Sequence, residues 1–100
     1  MKILALEHEL PGATPEAYQR HARAEARKVW ELHQAGLIRE LYFRADQQSA
    51  VLVLECASLE APADILAGMP FVQEDLIAFE LIPLKAYAGL ARLFDDAASG

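Results

Sequence analysis

The stretch that most constrains this chain runs from Leu37 to Cys56. Leu-Ile-Arg-Glu-Leu-Tyr-Phe-Arg and Ala-Val-Leu-Val-Leu-Glu-Cys, two runs rich in β-branched and aromatic residues, flank the polar Ala-Asp-Gln-Gln-Ser. That is the pattern of a β-hairpin. A five-residue loop sets Arg44 opposite Ala50, Tyr42 opposite Leu52 and Arg39 opposite Glu55. This register predicts an Arg39–Glu55 pair on the face that also carries Leu41, Phe43, Val51 and Val53. Such a pair reads in two ways, as a structural ion pair or as the floor of a polar pocket. A four-residue loop would break it, because strand parity decides which side chains share a face.

The rest of the chain supplies elements around this hairpin. Lys2 to His8 reads as a first strand, and Pro11, Gly12 and Ala13 break it. Thr14-Pro15-Glu16 is a helix start: a hydroxyl to cap free N–H groups, a proline whose missing N–H costs nothing there, and an acid in the first turn. The helix is expected to reach about Ala35, with Gly36 supplying a left-handed stop. At 100° per residue, Tyr18, Ala22, Ala26, Val29 and Leu32 share one face. Glu25 falls well inside that stripe and His33 nearer its edge, while Trp30 lies off it, on a pocket rim or a partner's surface. Ser58 and Glu60 open a second, shorter helix through about Ala67, with Pro62 a candidate start for its regular part and Gly68 and Pro70 ending it. Leu76 to Leu84 reads as a fourth strand, with Ile77, Phe79, Leu81 and Pro83 on one face. Tyr87, Leu90, Ala91 and Phe94 then recur at helical spacing.

The order strand, helix, strand, strand, helix, strand is the split βαβ of the ferredoxin-like α+β fold. It predicts an antiparallel four-stranded sheet with the first and third strands central and both helices on one face. The other face carries large apolar side chains, and a face of that kind usually marks an interface. Two sheets packed face to face would cover it, making a homodimer of the dimeric α+β barrel type. Residues 1–94 are expected to form one domain, with a docking segment from about residue 85, and 95–100 a flexible tail.

Composition narrows the function classes. The net charge of −6 and nine scattered basic residues argue against nucleic acid. No apolar run approaches the ~18 residues of a membrane span. One cysteine makes no internal disulfide. No charged-then-apolar leader is evident, so a soluble cytoplasmic protein is expected. His8, His21 and His33 lack metal-ligand spacing, there is no Gly-rich phosphate loop, and no clear axial haem ligand. No metal and no cofactor are expected.

Between Glu25 and Leu84 the chain resembles muconolactone isomerase and its relatives in the dimeric α+β barrel superfamily. The features that carry the resemblance are Glu25 and Glu31-Leu32 in the helix, then Gly36, Arg39 and Leu41. Ser58, Leu66, Gly68 and Pro70 follow around the second helix, with Glu80 and Pro83-Leu84 in the last strand. The first strand, the loop before Thr14 and the segment Tyr87 to Phe94 depart from the pattern. The resemblance implies a cofactor-free isomerase that moves a proton across an unsaturated lactone in aromatic degradation. The superfamily also holds cofactor-independent monooxygenases, polyketide cyclases and proteins without known activity, so fold alone does not decide.

A 1,3-proton shift needs a base, an acid and a cation to hold the dienolate. Glu25 is the candidate base, since an apolar stripe raises a carboxyl pKa; the competing reading pairs it along the helix with His21 or Lys28. Arg39 is the candidate anion holder, against its pairing with Glu55. His33 is either an acid–base shuttle or a residue finishing the helix. Tyr42, Glu55, Glu80 and His8 complete the candidate substrate-binding set, with Glu80 able to meet Arg44 or His8. The expected ligand is a small organic acid or lactone. A cofactor-free monooxygenase or polyketide cyclase, and a non-catalytic dimeric binding module, stay open.

Overall fold

A computed structural model describes residues 1–94. Its strands are β1 (Lys2–Glu9), β2 (Ile38–Phe43), β3 (Ala50–Glu55) and β4 (Ile77–Leu84). Its helices are α1 (Pro15–Gln34), α2 (Ala61–Ala67) and α3 (Pro70–Gln73), followed by a 3₁₀ segment, Ala88–Phe94. The sheet order is β2-β3-β1-β4 with every neighbouring pair antiparallel. This is the ferredoxin-like arrangement that the element order predicts. The expected tail, 95–100, lies outside the described residues.

Helix α1 begins and ends for the reasons its sequence gives. The Thr14 hydroxyl accepts the Ala17 N–H at 3.2 Å, and Pro15 takes the first helical position. Gly36, at φ +80°, turns the chain out of the helix in a region that costs other residues about 1–2 kcal/mol. In α2 the Ser58 hydroxyl accepts the Ala61 N–H at 3.2 Å from outside the helix. Pro70, expected only to stop α2, also opens the short α3. A proline fits that role because the first N–H of a helix has no internal partner.

One sheet face meets the helices. Ile3 and Ala5 of β1, Ile38 of β2, Leu52 and Leu54 of β3 pack with Leu32, Leu66 and Met69, while Phe79 and Leu81 of β4 join them half-buried. Ile3, Ile38 and Leu54 are sealed almost completely from solvent. Each such side chain contributes about 1.5–3 kcal/mol through burial. Leu4, Leu6, Val51, Val53 and Ile82 alternate onto the opposite face, where they are only half-buried.

The hairpin departs from the expected register. Its pairs are Phe43 with Ala50, Tyr42 with Val51 and Leu41 with Leu52, closed by an Arg44 N–H to Ser49 carbonyl bond of 2.9 Å. Six residues, not five, separate the strands, and a slip of one exchanges the faces of a strand. Leu41 and Phe43 therefore lie with Leu52 and Leu54, not with Val51 and Val53. A second irregularity follows between Ile38, opposite Leu54, and Glu40, opposite Val53. Arg39 is the extra residue of this bulge, so it does not pair with Glu55. The Glu55 carboxylate instead accepts from the Met1 ammonium at 3.0 Å.

Candidate functional site

Small residues on α1 create the site. A helix packed fully on a sheet would present large apolar residues along its stripe, but α1 presents Ala22 and Ala26 one turn apart. The space they leave is an open cleft of about 900 Å³ between α1 and the sheet. That is the size range of small-molecule sites, about 300–1,000 Å³. Ala22, Glu25, Ala26, Val29, Trp30 and His33 form its helical wall. Leu41, Phe43, Ala50, Leu52 and Phe79 form the sheet wall, and Met69 with Phe71 closes one end. The lining is largely apolar and aromatic, with a few polar groups set into it.

Its ionisable groups are Arg39, Glu40, His33, Glu25 and Glu7. Near the C-terminal end of α1 stand Arg39 and His33; on the helix wall and on β1 stand Glu25 and Glu7. The bulge re-aims Arg39 into the cleft, since bulges turn a side chain away from strict alternation. Its Nε donates to the Gly36 carbonyl at 2.6 Å, which anchors the guanidinium without engaging a carboxylate. The His33 Nδ1 lies 2.8 Å from the Ile38 carbonyl. A carbonyl only accepts, so Nδ1 carries the hydrogen and the neutral ring keeps its free lone pair on Nε2.

Glu25 is held by the start of α3. Pro70 has no N–H and Met69 no capping side chain, so the Phe71 N–H is an unmet donor. Glu25 Oε1 accepts it at 2.9 Å. Burial raises the Glu25 carboxyl above the usual glutamate range, and the Phe71 N–H draws it partly back. Neither helical partner foreseen for Glu25 takes it: His21 approaches Glu74 at 3.9 Å, and Lys28 lies over Gly68.

The other expected site residues fall into two groups. Tyr42 lines the mouth of the cleft and donates its hydroxyl to Glu40 at 2.7 Å. His8, Glu80 and Glu55 do not line this cleft. His8 meets Glu80 across the open sheet face at 3.6 Å, one of its two foreseen partners, while Arg44 forms a forked pair with Asp46. Glu55 is taken by Met1.

Glu7, like Glu40 beside Arg39, is a cleft carboxylate that sequence reasoning passed over. On β1 it shares parity with Ile3 and Ala5 and pairs with Phe79, which turns it towards α1. That period-two pattern was its available signal. Burial raises its pKa, the nearby carboxylates of Glu25 and Glu9 raise it further, and the Ala50 N–H opposes them. Glu7 also borders a second chamber of about 790 Å³, lined by His8, Tyr18, Gln19, Gln47, Gln48 and Ser49. There burial and the Glu9 and Glu7 charges push the Tyr18 hydroxyl up to about 12. Tyr18 is thus a hydrogen-bond donor at neutral pH. Among the described residues no three His, Cys, Asp or Glu side chains are grouped to hold a metal, and no helix is long and apolar enough to cross a membrane.

Fold and cleft together define an α+β protein of ferredoxin-like topology, with an open helix–sheet cleft carrying carboxylates and a bulge arginine. A solved structure of similar fold is 5-chloro-2-hydroxyhydroquinone dehydrochlorinase from Burkholderia phenoliruptrix AC1100, in complex with 2,5-dihydroxybenzoquinone. The match has a TM-score of 0.68 over 89% of this chain and 98% of that chain, at 16% sequence identity. At that identity the likeness is one of fold. No family model and no curated protein matches the chain.

Proposed function

We propose that the protein is a cofactor-independent enzyme moving a proton on a small unsaturated acid or lactone. The reading rests on one observation above all: Glu25, with its raised pKa, and Arg39, in no salt bridge with Glu55, line the same apolar cleft. An apolar wall makes a carboxylate a better base, and Arg39 offers the unused part of its fork to an anion. The substrate's carboxylate lies towards Arg39 and its ring against Trp30 and Phe71, with the acidic C–H over Glu25. Removal of that proton gives a dienolate, and a proton returned to the far carbon completes the shift. His33 Nε2, at the Arg39 end, shuttles protons to solvent. The resemblance to muconolactone isomerase names the first substrate to try.

Muconolactone turnover followed by ¹H NMR tests this. Glu25→Gln keeps the Phe71 hydrogen bond through its amide oxygen but has no basic carboxylate. Its kcat is expected to fall about 10²- to 10⁴-fold, the usual contribution of a general base. Wild-type turnover that survives Glu25→Gln unchanged contradicts the assignment. Arg39→Ala is expected to raise KM about 10- to 100-fold, matching about 1.5–3 kcal/mol for a hydrogen bond to a charged group. An unchanged KM removes Arg39 from binding.

A second reading has its own support. The aromatic lining (Trp30, Phe43, Phe71, Phe79) and the fold shared with a hydroquinone dehydrochlorinase suit a planar ring that loses a proton and then chloride. Chloride release from a chlorinated hydroquinone, without muconolactone turnover, would favour it. In either case we propose a homodimer formed through the half-buried sheet face.

A further inference from the structure

Resting on the proton-transfer reading, we infer that Glu7 is a second catalytic carboxylate: it faces the cleft opposite Glu25 and supplies the proton that Glu25 does not. A 1,3-shift moves hydrogen between carbons that one short side chain reaches unequally. Two carboxyl groups on opposite walls divide the task. Glu25 projects from α1 and Glu7 from β1, both line the 900 Å³ cleft, and each is partly buried. Their environments differ in a way that assigns the roles. Each carboxyl accepts from a backbone N–H, Glu25 from Phe71 at 2.9 Å and Glu7 from Ala50, so the difference is one of charge: the carboxylates of Glu25 and Glu9 crowd Glu7, which leaves Glu25 the better base.

Glu7 has the company of an acid. From α1 it faces Glu25 and the Tyr18 hydroxyl; along β1 its neighbour is Glu9; from β3 it meets the Ala50 N–H. β4 presents Phe79, and the loop beside it presents the uncharged Gln47, Gln48 and Ser49. The cleft's positive group, Arg39, stands on β2 beside Glu40. Two neighbouring carboxylates disfavour a third charge, so Glu7 holds its proton more readily than an isolated glutamate.

The step balances without any co-reactant. The Glu25 carboxylate takes a proton from the substrate C–H, and the electron pair moves into the dienolate. The Glu7 carboxyl then gives its proton to the distal carbon, regenerating the double bond one position along. Glu25 is left protonated and Glu7 ionised. One proton passed from Glu25 to Glu7, directly or through the water-accessible chamber beside Glu7, restores both. Glu7 lies in β1, outside the residues that carry the muconolactone isomerase resemblance.

Two measurements test the assignment together. Side-chain ¹³C titration of the wild type and of Glu25→Gln reads the pairing without substrate; the Glu7 midpoint is expected to fall when the Glu25 charge is removed. With muconolactone in D₂O, Glu7→Gln is expected to lose product faster than deuterium wash-in. The ratio of wash-in to product rises about 10²-fold, the scale of a lost general acid. A Glu7 midpoint unmoved by Glu25→Gln, or an unchanged ratio in Glu7→Gln, overturns the role of Glu7 while Glu25 dependence still stands. Wild-type turnover indifferent to Glu25→Gln overturns the proton-transfer reading instead.

Discussion

Glu25 serves two masters in this fold. It completes the start of α3 through the Phe71 N–H, and it presents a carboxylate to an apolar cleft. Its raised pKa, with that of Glu7, sets a stability trend as well as a chemical one. A carboxyl whose folded pKa lies above its unfolded value favours folding while protonated. That stabilisation is present below the unfolded pKa and is lost as pH rises through the folded one. Both glutamates are only partly buried, so solvent screens part of the effect. Glu7→Gln, whose amide oxygen still accepts the Ala50 N–H, is therefore expected to raise Tm at pH 7.5 by roughly 2–4 °C. The gain should vanish near pH 4, where both forms are neutral. Thermal melts at the two pH values check this, and an equal shift at both would point to packing. At this scale Glu25 was readable from its place in the helical stripe. Glu7 was not singled out, because a charged residue at a strand end is usually a solvated one.

The elements were legible from their ends inward. Thr14-Pro15-Glu16 and Gly36 bound α1 as their chemistry requires, and β4 begins one residue later than expected. Gly36→Ala forces a Cβ into a left-handed φ of +80°. It is expected to cost about 1–2 kcal/mol, or ~4–16 °C in Tm; an unchanged melt would mean the loop relaxes. The hairpin was legible as a hairpin but not in register. Loop length is set by turn geometry that the polar Asp-Gln-Gln-Ser run does not specify, and the Arg39 bulge leaves no mark in the hydrophobic pattern. Together they sent Arg39 to the cleft and Glu55 to Met1. The short α3 was hidden for a related reason: Pro70 ends one helix and starts another.

At the scale of the molecule, two apolar surfaces among the described residues stay open to solvent. One is the sheet face of Leu4, Leu6, Val51, Val53 and Ile82, which we propose as the dimer interface. Val53→Asp would bury an unpaired charge there and is expected to yield monomers by light scattering, with the cleft residues untouched; an unchanged mass would locate the interface elsewhere. The other is the 3₁₀ segment, where Tyr87, Leu90, Leu93 and Phe94 are 61–82% exposed. Residues three apart eclipse in a 3₁₀ helix, so Leu90 and Leu93 share one stripe, with Tyr87 just before the segment. We propose that it docks on a neighbouring subunit. Truncation after Leu84 should then reduce the assembled mass, and an unchanged elution volume counts against docking. The open sheet face follows from strand alternation, so the sequence announced it; the docking partner of a terminal segment is written in no local pattern.

The central proposal is that Glu25 and Arg39 make one proton-transfer site. Its most direct measurement is deuterium wash-in to muconolactone in D₂O, read by ¹H NMR with wild type, Glu25→Gln and Arg39→Ala side by side. Wild type is expected to exchange the acidic C–H, Glu25→Gln to exchange at least about 10²-fold more slowly, and Arg39→Ala to recover wild-type exchange only at higher lactone concentration. Exchange that proceeds equally in wild type and Glu25→Gln would contradict it.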